Sequence, residues 1–155
     1  MGPWPLSCYQ RATALVTDPS HRLLVFDHLG SPEAGTQVPA GGIKADEPHE
    51  VAVQRELAEE SGIRSARIIR KLGESWYRAA PGNVPAGLEE QVHHAFHLHV
   101  DAVPEEAWEW DECSDGDVAL HRFVFRWIDL DAAATALHPV QAMWLPSLRV
   151  SLENV

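Results

Sequence analysis

The stretch that decides the reading is Gly41-Gly42-Ile43-Lys44-Ala45-Asp46-Glu47, then Pro48 to Gln54, then Arg55-Glu56-Leu57-Ala58-Glu59-Glu60-Ser61-Gly62-Ile63. From Glu47 to Ser61 it has the spacing of a helix. Asp46 is placed as N-cap, Pro48 falls in the first turn, and Gly62 sits just past the end. At about 100° per residue, Glu56, Glu59 and Glu60 share one helical face, and Val51, Leu57 and Ala58 lie on the side assigned to the core. Three carboxylates spaced i, i+3 and i+4 repel one another by roughly a few tenths of a kcal/mol per pair. A hard cation among them turns that repulsion into attraction, and an all-oxygen donor set favours Mg²⁺ or Mn²⁺ over zinc.

On its own, such an acidic face is common on solvated helices. The whole segment is more specific. It fits G-x5-E-x7-R-E-U-x-E-E-x-G-U, with U aliphatic, at every defined position: Gly41, Glu47, Arg55, Glu56, Leu57, Glu59, Glu60, Gly62 and Ile63. At average residue frequencies a random window matches with a probability on the order of 10⁻⁹. The segment resembles the Nudix box of the Nudix hydrolases. The resemblance implies an α/β (α+β) fold, an αβα sandwich with a mixed central sheet. It also implies metal-dependent hydrolysis of a pyrophosphate bond in a nucleoside diphosphate linked to another moiety, X.

Roles follow residue by residue. Glu56 and Glu60, one turn apart, are the expected principal metal ligands. Glu59 is expected to ligate a second metal or to activate the attacking water, and the Gly41 carbonyl to add a ligand. Gly41 and Gly42 let the backbone approach a phosphate or metal closely. Arg55, as in the family, holds the glutamates by charge-assisted hydrogen bonds. Glu47 reaches either Arg55 or the metal cluster, or else serves only as an acidic residue in a first helical turn. One helical face cannot surround an ion that takes six oxygens. In the resembling family a further carboxylate often comes from a loop well beyond the box, so the resemblance makes the acidic loop at Glu112, Asp115 and Asp117 a candidate source of a ligand or base, against a plain reading as turn residues.

Working outward, Cys8–Val16 and Leu23–Phe26 read as a hairpin around Asp18-Pro19-Ser20. Leu29–Thr36 is a loop, and Val38-Pro39-Ala40 leads into the glycine pair. Ile68–Leu72, Trp76–Arg78 and Gln91–Val100 read as strands. Trp108–Glu112 and Leu120–Ile128 form a further hairpin. The chain ends in helices, Leu130–Leu137 and Val140–Val150, interrupted at Pro139 and at Pro146. His93, His97 and His99 fall on one face of their strand and His94 on the other, read as exposed positions or substrate contacts because no zinc spacing is present. Trp108 and Trp110 alternate with acids, the pattern of a half-buried strand; stacking on a nucleobase is the sharper reading, shared with Trp76 and Tyr77.

The 155 residues fit one domain, residues 1–155, with ordinary globular composition: 45% hydrophobic and 23% charged. Twelve basic against 23 acidic residues give a formal charge of −11, which repels long nucleic acid and anionic membrane. A small nucleotide-type substrate then needs a bound cation or local basic groups. Two cysteines make no disulfide framework, and the N-terminus reads as carrying no signal peptide, so a cytoplasmic protein is predicted. The resemblance adds a homodimer as an expectation. It leaves the substrate open, since Pro81 and Tyr77, counted from Ile63, match neither of two family substrate spacings. The competing reading is a non-catalytic Nudix-fold nucleotide-binding or regulatory module; such modules lose box carboxylates, and none is lost here.

Overall fold

The structure, a computed structural model, describes residues 7–113 and 121–155. Its strands are β1 (Tyr9–Thr17), β2 (Leu23–His28), β3 (Ala40–Gly42), β4 (Arg67–Arg78), β5 (Glu90–His99), β6 (Ala107–Asp111) and β7 (Arg122–Ile128). Its helices are α1 (His49–Ser61), α2 (Leu130–Ala136), α3 (Pro139–Ala142) and α4 (Leu145–Leu152). The strands form one mixed sheet in the order β4-β5-β1-β2-β7-β6, with β3 paired to β1. Only β1 and β5 run parallel.

Alternation along the strands sorts side chains into two cores. Ala12, Ala14, Val16, Leu24, Phe26, Phe96, Leu98, Phe123, Phe125 and Trp127 pack with Ala52, Val53 and Leu57 of α1. Leu15, Leu23, Val25 and Ala95 pack on the opposite side with Leu130 of α2, Leu145, Leu148 and Leu152 of α4, and the flanking Leu137 and Trp144. Helix, sheet and helices are thus three layers. The expected αβα sandwich with a mixed sheet is observed.

The first hairpin is not closed along its length. β1 and β2 register only at Thr17 and Leu23. Further on, the segment leading into β3 wedges between them: Phe26 and Gln37 exchange backbone hydrogen bonds of 2.8 and 2.9 Å, Ala14 N–H donates to the Pro39 carbonyl, and Ala40, Gly41 and Gly42 pair with Thr13, Ala12 and Arg11. Two expected strands on either side of Gly73 are one strand, β4, bent by bulges near Ile68–Arg70 and Lys71–Gly73. At the C-terminus, Pro139 and Pro146 each stand in the first turn of a helix, where a missing N–H costs nothing.

Two expectations for α1 are corrected, its N-cap and the side of Val51, and its glutamate face proves to be covered. The helix begins at His49 with Pro48 as N-cap, and Asp46 sits outside it in a left-handed conformation, φ 61°. Val51 is 51% exposed, away from the core. The glutamate face does not look into solvent: Glu56 is 8% and Glu60 3% exposed. Periodicity sets angles between residues, but not which other segments cover them, and here β3 covers this face. The four histidines of β5 are likewise buried rather than exposed. Among the described residues no helix is long and apolar enough to cross a membrane.

Candidate active site

Gly62 ends α1 in the left-handed region, φ 81°, and donates its N–H to the Ala58 carbonyl. Two further carbonyls of this end, those of Glu59 and Ser61, are met from β6 and the residues just after it. Trp110 Nε1 donates to Glu59 O at 3.0 Å, Trp108 Nε1 to Ser61 O at 2.9 Å, and Cys113 N to Glu59 O at 3.1 Å. Groups that a free helix end leaves unsatisfied thereby dock β6 on α1. Glu112, next in the chain, is brought beside the glutamates. Trp108 also stacks on Phe125 in the core, with centroids 5.1 Å apart. The two tryptophans are accounted for as structural groups.

At the other edge of the glutamates lies β3. Glu60 Oε1 accepts from Ala40 N at 3.1 Å. A Cβ on Gly41 would stand 2.0 Å from Glu56 Oε2, and one on Gly42 would stand 2.2 Å from Tyr9 Oη. Neither position can carry a side chain without displacing these groups.

Arg55 organises the rest. Nε and Nη2 clamp both oxygens of Glu47, at 2.7 and 2.8 Å. Nη1 donates to Glu56 Oε1 at 2.8 Å and to Glu59 Oε2 at 3.1 Å, and Nη2 donates to the Gly42 carbonyl at 2.9 Å. All five guanidinium N–H groups are used, a bidentate fork included. The Glu47 carboxyl is held down to about 2, chiefly by its bonds to Arg55, and the guanidinium pKa is pushed up by the same pair. Of the alternatives for Glu47, the structure places it on Arg55.

The remaining carboxylates are poorly compensated. Burial pushes Glu60 well above the usual range, the charges of Glu56 and Glu112 add to it, and the charge of Arg11 and the Ala40 N–H offset only part. Burial also raises Glu56, against the pull of Arg55. Glu112 is raised by burial too, with Glu59 adding repulsion and His121 opposing. Glu56, Glu59 and Glu112 border a cleft of about 440 Å³, lined also by Tyr9, Arg11, Lys44 and Arg55, and Glu60 lies buried beside it on the Ala40 N–H. Among the described residues, no three His, Cys, Asp or Glu side chains stand close enough together to hold an ion as they are. The donor set nevertheless suits a hard cation: oxygens only, with buried like charges opposing one another, Arg55 using one oxygen each of Glu56 and Glu59, and a glycine backbone in contact. Asp115 and Asp117 lie outside the described residues. Arg11 and Tyr9 were not singled out in the sequence. Their only signal was alternation on β1, which does not say that the strand borders a cleft.

The NUDIX domain model matches residues 9–148. The chain belongs to the Nudix family. As a Nudix hydrolase it acts on pyrophosphate bonds. No curated protein matches it in sequence. Solved structures resemble it in fold. The Escherichia coli dihydroneopterin triphosphate pyrophosphohydrolase has a TM-score of 0.71 at 15% identity, over 92% of this chain and 98% of its own. A Caenorhabditis elegans Ap4A hydrolase, in a binary complex, scores 0.68 at 14% identity, over 95% and 99%. The NUDIX domain of Shewanella oneidensis NrtR, complexed with ADP ribose, scores 0.61 at 14%, over 99% and 93%. At such identities the Nudix fold is what is shared.

Proposed function

We propose that this Nudix hydrolase is metal-dependent and cleaves a small, nucleotide-type substrate, a nucleoside diphosphate linked to X, in the cytoplasm. The observation that carries this reading is Glu60. Its carboxylate is buried, opposed by the charges of Glu56 and Glu112, and bonded to the backbone of the segment a phosphate would approach. Such a group is costly to keep unless a cation meets it.

Glu56 and Glu60 are the proposed metal ligands, with Glu59 and the Gly41 carbonyl beside them. A divalent ion bound there neutralises phosphate charge and lowers the pKa of the attacking water. Arg55 keeps Glu56 and Glu59 aimed into the cleft and ties them to Gly42 and Glu47. Water attacks one phosphorus, forming a new P–O bond, as the bridging oxygen departs with its electron pair. The water's proton passes to Glu59 or Glu112. Burial makes the Glu112 carboxylate a stronger base than an exposed one. Arg11 and Lys44 at the rim, together with the ion, give a locally positive entry to a protein of charge −11.

The test is turnover on nucleoside triphosphates, dinucleoside polyphosphates, ADP-ribose and nucleotide sugars. Activity is expected with Mg²⁺ or Mn²⁺ and loss with chelator. Either ion is also expected to raise Tm by more than monovalent salt of equal ionic strength does, growing with the logarithm of concentration above Kd. Absence of turnover across that panel, with tight nucleotide binding, gives the non-catalytic module instead. Light scattering on the same sample reads the expected homodimer.

A further inference from the structure

The box pattern fixes Gly41 and leaves the next position open, yet Gly42 has no room for a side chain. Consecutive strand residues face opposite sides. The place of a Cβ on Gly41 is filled by the Glu56 carboxylate. The place of one on Gly42 is filled by the Tyr9 hydroxyl, with the ring carbons Cζ and Cε1 2.9 and 3.1 Å from the same point. A carboxylate and a phenol thus meet the glycine pair from its two faces. The carboxylate belongs to the glutamate site. The phenol comes from β1, outside the box, and the catalytic roles assigned to Arg55 and the glutamates leave it unused.

Tyr9 is held in that place. It is the first residue of β1, in register with Gln91 of β5. It stands two positions before Arg11, the partner of Gly42, and so shares the face to which Gly42 would point a side chain. The Ile43 N–H donates to the Gln10 carbonyl at 2.9 Å, which ties the chain after β3 to β1 beside Tyr9. The Gly42 carbonyl accepts from Arg55 Nη2 at 2.9 Å, so the peptide against the phenol is fixed to the residue that aims Glu56 and Glu59. Tyr9 is partly buried and lines the catalytic cleft with Lys44, Arg55, Glu56 and Glu59. Among the described residues its hydroxyl has no hydrogen-bond partner.

A phenol has one proton to donate and is neutral at pH 7, whereas the carboxylates across the glycine pair, when ionised, only accept. Phosphate oxygens that do not reach an ion need donors, and hydrogen bonds to charged oxygens are the strong ones. In a pyrophosphate the second phosphate is one bridging oxygen from the first. With one phosphate on the Glu56 side of the pair, the other comes within reach of the Tyr9 side, because only glycine backbone separates the two.

We infer that Tyr9 is a substrate-binding residue: its hydroxyl donates to a non-bridging oxygen of the phosphate next to the metal-bound one, and Gly42 is a glycine so that the hydroxyl can stand there. The inference rests on the proposed hydrolysis and adds to it a phosphate contact from outside Gly41–Ile63.

The test uses Tyr9→Phe, which keeps the ring and removes one oxygen. Calorimetry in Mg²⁺ measures binding of methylenediphosphonate, an uncleavable pyrophosphate analogue, and turnover is measured beside it on the substrate panel. Tyr9→Phe is expected to bind the analogue tenfold or more weakly than wild type and to lower kcat/KM by a similar factor, mainly through KM, with Tm unchanged. A packing role is kept by the phenylalanine ring and predicts equal binding, so affinity within twofold of wild type overturns the inference. Gly42→Ala has to push the phenol aside. It is expected to weaken analogue binding about tenfold in the wild type and less than threefold when added to Tyr9→Phe, where the hydroxyl is already gone. Losses that add in full overturn the pairing of Gly42 with the hydroxyl. If wild type cleaves nothing on the panel, hydrolysis fails as a reading. The phosphate contact then stands if the analogue binds and Tyr9→Phe weakens it tenfold or more, and falls if binding is absent or unaltered.

Discussion

Glu60 is held where water does not reach, with one oxygen on the Ala40 N–H and like charges from Glu56 and Glu112 on either side. Removing its charge removes both the desolvation cost and the repulsion. Glu60→Gln is therefore expected to keep the fold and, in metal-free buffer at pH 8, to melt higher than wild type, while kcat falls at least about a hundredfold. Glu56→Gln should cost activity to a similar degree with a smaller gain in stability, because Arg55 exchanges a charged acceptor for a neutral one there. Circular dichroism melts beside turnover in saturating Mg²⁺ check both, and near-native activity in either variant counts against the metal assignment. The box identified these residues because its spacing is chemical, one carboxylate per helical turn. It could not show that they are buried, since the strand covering them, Ala40–Gly42, depends on a wedge between β1 and β2 that no local pattern announces. Gly41→Ala tests that contact: a Cβ 2.0 Å from Glu56 Oε2 has to push the carboxylate aside, and a tenfold or greater loss of kcat is expected.

At the scale of elements, α1 and β6 are one unit. The indole N–H groups of Trp110 and Trp108 close the last carbonyls of the helix, and Gly62 makes room for the Trp110 ring, 2.7 Å from where a Cβ would stand. Replacing Trp110 with Phe keeps a ring and loses one donor. It is expected to destabilise by about 1 kcal/mol and to lower kcat several-fold, because Glu112 is carried by the same strand end. Gly62→Ala meets both a positive φ and the ring, so about 2 kcal/mol or more is expected in urea unfolding. Glu112→Gln should lower kcat tenfold or more with stability little changed; near-native turnover removes Glu112 from the chemistry. In the sequence, the helix stop at Gly62 and the strand at Trp108–Glu112 were both legible. Their contact was not, since alternation of tryptophan with acid describes a half-buried strand equally well whether its rings face a core, a partner or a helix end. Asp46 misled for a related reason: an acid before a helix is a fair N-cap, but Pro48 has no N–H and the chain enters the helix from there.

Across the whole molecule, the αβα layering followed from the box resemblance and from strands on both sides of one central helix, but the state of β5 did not. Its histidines read as polar positions, yet every one is interior because α1 and α4 cover both faces of the strand. His97 is the deepest. Its Nδ1 is 2.6 Å from Ser151 Oγ on α4, and its Nε2 is 2.8 Å from Thr17 Oγ1 on β1, which also meets His99 Nδ1 at 2.8 Å. The relay joins sheet to helix through neutral rings. A proton on His97 keeps both hydroxyl partners but adds a buried charge, with His99, Arg70, His21 and Arg67 all of the wrong sign around it, so its pKa is lowered to about 4. The folded value lies below the unfolded one near 6.5, and the unfolded chain therefore binds the extra proton first. The stability His97 contributes is complete above about pH 6.5 and is lost as pH falls toward about 4, by roughly 3 kcal/mol at the limit. Buried His93 and His94, also lowered to about 4, act in the same direction. Urea unfolding of wild type and His97→Gln in metal-free buffer from pH 7 to pH 4.5 isolates the group, because contributions from the glutamates cancel in the difference. The wild type is expected to lose more stability over that range than the variant does, whatever their stabilities at pH 7. Parallel pH profiles would mean that His97 is protonated in the fold without penalty, and that the Thr17–His97–Ser151 relay does not depend on a neutral ring.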